Sequence, residues 1–594
     1  MKRSKAKSKV PRQRTDAPAA SRVIGGYYRI TSRWPVAALS LASLVLFSLI
    51  FAPISWWPLA FVALVPWLTA VCTADRAGWT YLVSYLFGVA LFLWNMRWLG
   101  PITPPGYLAL GLYYGALFPI ISCPLRHVVR RRKAPVAFVF PILWVATELP
   151  RATHATGLPW FFLSHSMHGV LPMIQIADLV GAHGVSFVIA MVNGWFVDLI
   201  IQPIMVLERG HPKAVRRFPT NTLAVLAVLG GTLMYGFWRL GEKTIHPGPR
   251  VAIIQEDFPS YVSLADRRNA PSPYDKAQAH FAQIARALVH EPDLIVLPES
   301  PWYMALNKGF LAADPPADNY LKSLYNWSHV CNQRFSETAK QANAFVLTGG
   351  TSMELLPTNV YPTEKRYNSA FSYAPGATFA ERYDKVHLVL FGEYVPFRYG
   401  RLHSLYQWLN SITPWGAGGF EYSLTPGSTF HTFVMQARSQ EGQVYRFGTP
   451  ICYEDVIPYC CRAFMRHPNG EKGADFLLNI SNDGWFEHGD ERPQHLAICV
   501  FRAVENRVGI ARAVNTGISG FIDPTGRVYD TISAAQAGYR VQNVYVDTRH
   551  SLYSRWGDVF AIACALCAVA MLIDAIVIRR IVRLSAAPVS EVQP

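Results

Sequence analysis

Charge is what this chain has least of. Only 16% of its 594 residues are Asp, Glu, Lys or Arg, with 39 acidic against 55 basic. With 51% hydrophobic residues and a mean hydropathy of +0.16, the composition argues against a wholly water-facing protein and for a membrane protein with a sizeable soluble part. The signatures of nucleotide chemistry are missing too: there is no G-x-x-x-x-G-K-[ST], no dinucleotide fingerprint after a strand and no obvious repeat. Of Cys72, Cys123, Cys331, Cys452, Cys460, Cys461, Cys499, Cys564 and Cys567, only Cys564 and Cys567 have C-x2-C spacing, inside an apolar stretch, and the lack of a second such pair argues against zinc. Five of the nine lie in residues 241–557, an odd number, so at least one is free or paired between chains.

The charge that is present is unevenly placed. Residues 1–34, 73–80, 126–133, 207–219 and 579–594 hold 23 Lys/Arg and 4 Asp/Glu, leaving 32 and 35 elsewhere. A net charge of +16 so confined belongs to membrane-flanking loops rather than to a nucleic-acid surface. Apolar runs of about spanning length occupy residues 36–54, 57–72, 81–99, 107–124, 134–148, 171–204, 221–240 and 558–578. The first, preceded by a long basic region and no clear small-residue cleavage pattern, reads as an uncleaved span rather than a signal peptide. Eight spans leave both termini in the cytoplasm and put the large insert outside it. The domains expected are a basic tail (1–34), a membrane domain of seven spans (35–240), a soluble domain (241–557), an eighth span (558–578) and a cytoplasmic tail (579–594). Within the membrane part Glu148, Arg151, Asp178 and His183 are functional candidates by their location, although the i, i+3 spacing of Glu148 and Arg151 equally suits a packing pair.

The insert alternates strand and helix patterns, the mark of an α/β sandwich. Strands are expected at 251–255, 294–297, 344–348, 368–373, 476–480 and 509–513, helices at 274–290 and 494–507, and a hairpin around 524–527. Three short runs place reactive residues just past apolar segments: Leu-Pro-Glu299-Ser, Tyr-Asp-Lys385-Val-His-Leu and Gly-Thr-Pro-Ile-Cys452-Tyr-Glu-Asp. Any single cysteine is more often core than nucleophile. With Glu299 and Lys385, however, Cys452 forms a chemically complete set: a carboxylate to take the thiol proton, an ammonium for an oxyanion and a thiolate to attack a carbonyl.

These runs resemble the Glu-Lys-Cys triad of the nitrilase superfamily. Asn482-Asp-Gly-Trp-Phe486, Gln494-His495, Arg502-Ala-Val-Glu-Asn-Arg507 and Asn515-Thr-Gly-Ile-Ser-Gly520 narrow the likeness to its membrane branch, the apolipoprotein N-acyltransferases. The resemblance implies a polytopic helical membrane domain of about eight spans carrying an αββα nitrilase-like sandwich, in a bacterial inner membrane with the soluble domain outside the cytoplasm. It implies a phospholipid acyl donor, a thioester on Cys452 and a diacylglyceryl apolipoprotein as acceptor. Glu393, Tyr453, Glu454 and Trp485 are then supporting residues: the glutamates orient Lys385 or bind the acceptor ammonium, the aromatics line the acyl path or serve as core. No cofactor, metal or nucleic acid is expected, and the chain is expected to be a monomer. His387 and His495 are read as structural. Departures lie at Gln255-Glu-Asp-Phe-Pro259, in the long stretch 303–341 and at Glu487, where the family usually has Gly. The competing readings are a membrane-anchored amidase or nitrilase for a small soluble substrate, in which the spans have no use, and a binding scaffold, in which the triad has none.

Overall fold

The computed structural model describes residues 21–24, 27–153, 157–201, 204–208, 211–215, 221–260, 270–356, 364–413, 416, 421–467, 469–486 and 489–585; most of the basic tail, the last nine residues and Glu487 lie outside this set. Among the described residues six helices are long and apolar enough to cross a membrane: Ala77–Asn95, Pro104–Arg132, Val136–Thr153, Ala177–Ile201, Thr222–Gly241 and Val559–Val577. The first two expected spans are shorter helices, Trp34–Leu49 and Trp57–Thr73. Sixteen residues reach about 24 Å at about 1.5 Å per residue, less than a hydrocarbon core of about 30 Å. The sixth expected span is broken. Its long helix is interrupted at Gly181, whose φ of 70° is open to glycine, and where a Cβ would meet the Tyr553 ring at 2.6 Å.

The basic run 126–133 is not a loop. The helix Leu117–His127 continues through a π turn, Val128–Arg132, so the charges ride on its last turns. There Arg126 and Arg130 donate to the carbonyls of Val71, Cys72, Ala74 and Asp75 that end a neighbouring helix, and Arg132 pairs with Asp574 at 2.7 Å.

The soluble domain is a sandwich of two six-stranded sheets. The first runs Gly538–Asp547, Ile245–Gln255, Leu294–Val296, Phe345–Leu355, Glu364–Tyr373, Glu381–Asp384. The second runs Thr432–Ala437, Gln443–Gly448, Phe476–Asn482, Gly509–Asn515, Ser519–Ile522, Val528–Ile532. Each has three parallel strands at its centre and antiparallel strands at its edges. Alternation in the first sheet sorts its residues. Val251, Ile253, Leu294 and Val296 share one core with Phe447, Leu478 and Ile480 of the second sheet, while Ala252, Ile254, Ile295 and Val346 face the helices Pro273–Ala287 and Asn319–Ala342.

The helix Asn319–Ala342 accounts for most of the long stretch 303–341. Asp318 caps it by accepting from Leu321 N–H at 2.8 Å, and Asn343 closes it in the left-handed conformation. Over the second sheet lie Pro458–Phe464 and Glu491–Asn506. The latter is buried at 14 of its 16 residues, because its outer face meets the membrane helix Ala177–Ile201. One helix layer of the sandwich is therefore also the seam with the membrane domain.

Candidate active site

The three candidates Glu299, Lys385 and Cys452 stand past the carboxyl ends of three strands, where α/β sheets hold their sites. Glu299 follows Leu294–Val296 after Pro298, Lys385 follows Glu381–Asp384 directly, and Cys452 opens a 3-10 turn, Cys452–Asp455, four residues after Gln443–Gly448. The strand beside Glu299 has no room for a side chain at Gly349. A Cβ there would lie 2.5 Å from Ser300 N and 2.7 Å from Glu299 Cα. Cys452 has a φ of 49°, a conformation costly for a residue with a Cβ and common at sites that thrust a nucleophile outward. Asn479 Nδ2 holds the turn from below, donating to the carbonyls of Pro450 at 3.1 Å and Cys452 at 3.5 Å.

The structure brings the triad together. Lys385 Nζ lies 3.7 Å from Glu299 Oε1 and 2.9 Å from Glu393 Oε1, and Glu299 is close enough to Cys452 for its charge to act on the thiol. Asn368, which sequence reading passed over as one more strand residue, donates to Glu299 at 2.6 Å and to Glu393 at 3.0 Å, tying the two carboxylates together. Glu393 Oε2 in turn accepts from Val389 N–H at 2.8 Å, which fixes its own position. Of the two supporting glutamates, Glu393 is the one that touches Lys385. Glu454 acts on backbone instead. It accepts from Ile451 N–H at 2.9 Å, Val386 N–H at 2.8 Å, His387 N–H at 3.0 Å and Tyr383 Oη at 2.9 Å, so one carboxylate ties the lysine turn to the cysteine turn.

Burial sets the protonation states. It raises the Cys452 thiol, the Glu299 carboxylate raises it further, and Lys385 and His495 pull the other way, so the resting group is a thiol that needs a base. Burial likewise raises Glu299, opposed by Lys385. Burial would lower Lys385, but the charges of Glu393 and Glu299 outweigh it and hold the ammonium above its ordinary value. Glu454 is pushed up to about 7 by burial, against the backbone donors that favour its anion. His387 is pushed down to about 4 by burial and by Lys385, and its Nδ1 lies 2.6 Å from Tyr459 Oη. It is neutral and engaged, in keeping with a structural part.

The cysteine turn packs against the membrane domain. Tyr453 stacks on Trp160 at 5.9 Å and 15°, flanks His387 at 6.0 Å, and donates its hydroxyl to the Gly157 carbonyl. Trp160 is held by Arg151, which donates to its carbonyl at 3.0 Å. Glu148 accepts from Trp144 Nε1 at 2.8 Å and Leu163 N–H at 3.0 Å and has His183 Nδ1 at 3.3 Å. Glu148 and Arg151 therefore do not pair with each other; each anchors the segment that carries Trp160. Asp178 binds Arg239 and Arg507. Trp485 stands in the turn Asp483–Trp485, 36% exposed, next to Phe486, which meets Trp98 edge-on at 5.0 Å.

A half-buried thiol with an adjacent carboxylate and ammonium, set against apolar helices, is an arrangement suited to acyl transfer. Residues 43–195 match the family model described as the apolipoprotein N-acyltransferase N-terminal domain, and residues 250–549 match carbon-nitrogen hydrolase. An apolipoprotein N-acyltransferase of Geobacter metallireducens is 30% identical, covering 91% of this chain and 95% of its own. Those of Chlorobaculum tepidum and Haemophilus influenzae are 25% and 27% identical, covering 85% and 80% of this chain and 90% and 83% of their own. Among solved structures, the NitN amidase from Neterenkonia sp. AN1 is 16% identical and covers 52% of this chain and 96% of its own, with a TM-score of 0.33.

Proposed function

Because the chain belongs to the apolipoprotein N-acyltransferase family, whose activity is the N-acylation of lipoproteins, we propose that Glu299, Lys385 and Cys452 carry that reaction by double displacement. Glu299 takes the thiol proton and sulfur attacks the ester carbonyl of a phospholipid. Lys385 and the backbone N–H of Tyr453 hold the oxyanion. The C–O bond breaks, Glu299 returns the proton to the leaving lysophospholipid, and a thioester remains on Cys452. The α-amine of a diacylglyceryl-cysteine then attacks that carbonyl and gives a proton to Glu299. The C–S bond breaks, sulfur is reprotonated, and the acyl chain leaves as an amide. Glu393 orients Lys385, Glu454 sets the distance between the lysine and cysteine turns, and Tyr453 and Trp485 line the acyl path.

The observation that carries this reading is the convergence of base, ammonium and thiol at a seam with apolar helices. A soluble-substrate amidase has no use for that seam. We place the site outside the cytoplasm, with eight passes and both termini inside. The polarity of the membrane domain supports this: Ala52, Trp98 and Gly157 meet the soluble domain at one end, and Arg126, Arg130 and Arg132 cluster at the other. The test is acceptor choice. A diacylglyceryl peptide with a free N-terminal amine gains one acyl group, and the same peptide acetylated at that amine gains none, because an amide nitrogen is a poor nucleophile. Equal acylation of both sinks the reading.

A further inference from the structure

Behind the cysteine turn lies a second buried set that the reaction does not use. Asp483 opens the turn after the strand Phe476–Asn482, Glu491 is the first residue of the helix Glu491–Asn506, and His495 lies one turn further along it. Glu491 and His495 are thus i, i+4 neighbours on one helix face, a spacing that lets two side chains reach one ion. His495 Nδ1 is 3.3 Å from Asp483 Oδ1 and 3.4 Å from Glu491 Oε1, and donor atoms of all three residues lie within 4.8 Å of one another. The three are 1%, 3% and 3% exposed.

Polar atoms so buried are normally hydrogen-bonded. Here, among the described residues, His495 Nδ1, Asp483 Oδ2 and Glu491 Oε2 have no hydrogen-bond partner. The other ring nitrogen does: Nε2 meets Asp455 Oδ1 at 2.6 Å, and Asp455 also binds Arg512. A carboxylate on the far nitrogen of an imidazole is the arrangement that orients histidine toward a metal.

Charge leaves two ways to settle the cluster. Three carboxylates and one guanidinium leave two negative charges uncompensated with a neutral imidazole. Two protons, on Nδ1 and on Glu491, neutralise them, and so does one divalent cation. A proton on Nδ1 would face Asp483 Oδ1 and Glu491 Oε1 at 3.3 and 3.4 Å, too far off line for a hydrogen bond, and Asp483 Oδ2 and Glu491 Oε2 would stay without partners. Spacings of 3.3 and 3.4 Å instead match the edge of a tetrahedral ion with bonds of about 2.0–2.2 Å, which is about 3.3–3.6 Å.

We propose that His495 Nδ1, Asp483 and Glu491 form a binding site for a divalent transition cation of the zinc type, oriented by Asp455. The cysteine spacing that argues against zinc does not bear on a set of nitrogen and oxygen donors. The cation crosslinks the turn Asp483–Trp485 to the helix behind it and, through Asp455, braces the turn Cys452–Asp455 from the side away from substrate. Any proton on Nδ1 is displaced to solvent on binding.

The full chain, stripped with chelator in lipid nanodiscs, reloaded with Zn2+ and desalted, should retain about one zinc per chain by mass spectrometry, on the single site argued here. Its X-ray absorption should show a first shell of nitrogen and oxygen with one imidazole and no sulfur. Glu491→Gln should retain less than a tenth as much, and Asp455→Asn should bind zinc about 10–100-fold more weakly. Substoichiometric zinc in the wild-type chain, equal retention by the Glu491→Gln variant, or sulfur in the first shell each overturns the proposal. The wild-type measurements decide the question even if a variant fails to fold.

Discussion

Two buried ionic clusters in this molecule have opposite characters. At the seam between the domains Asp178 is saturated. It accepts from Tyr235 at 2.8 Å, from Arg239 at 2.9 and 2.6 Å and from Arg507 Nε at 2.9 Å, while Arg507 also reaches Gln175 at 2.7 and 3.1 Å and Pro524. At the reactive centre Lys385 is as deeply buried, yet among the described residues it has one short contact, to Glu393, and one long one, to Glu299 at 3.7 Å. A saturated cluster holds parts in place. An unsaturated one can stay poised for a charge that has yet to appear, which in the proposed reaction is the oxyanion. The difference marks which buried charges serve the fold and which serve chemistry, where residue type alone does not.

The contrast breaks most visibly at Asp178. Asp178→Ala strands Arg507 without its counter-charge, and the loss of one partner in a buried pair costs about 3–5 kcal/mol. Denaturant unfolding should record it, with transfer per folded molecule within about tenfold of wild type. Lys385→Ala and Glu299→Gln should do the reverse, lowering transfer by about 10²-fold or more with unfolding little changed. Glu299 also gives the sharper, pH-dependent form of that test. As a base it must be ionised, and burial raises it above the ordinary 4.5. The acid limb of kcat/KM should therefore fall above pH 4.5, with activity rising as pH rises through it, and should vanish in Glu299→Gln. The smallest effect is expected where the two regions meet. Tyr453→Phe removes the hydroxyl bond to Gly157 and keeps the stack on Trp160, at a cost of about 1 kcal/mol. A large loss of transfer there would mean that the hydroxyl takes part in the chemistry.

Much of this was legible in the sequence because it was local. Apolar runs marked the helices, and Pro298 and the run before Cys452 marked strand ends. The central strands were found, while the edge strands Glu381–Asp384, Thr432–Ala437 and Gly538–Asp547, half-buried and mixed in polarity, were not. What stayed hidden was pairing across the chain. Nothing local to Asn368 says that it bridges Glu299 and Glu393, and nothing near Glu148 says that its partners are Trp144, Leu163 and His183 rather than Arg151. The donor set of Asp483, Glu491 and His495 was missed for a related reason: attention to cysteine spacing looks past carboxylates that only a folded turn brings to a histidine.

Double displacement requires that Cys452 take an acyl chain from lipid before any acceptor arrives. The most direct measurement is intact-protein and peptide mass spectrometry of the lipid-embedded chain after incubation with phospholipid alone. One fatty acyl mass should appear on the peptide containing Cys452, be released by hydroxylamine as a thioester is, and be absent from Cys452→Ala. An unmodified Cys452 in a folded, lipid-embedded preparation, or an adduct that persists in the alanine variant, would contradict the account.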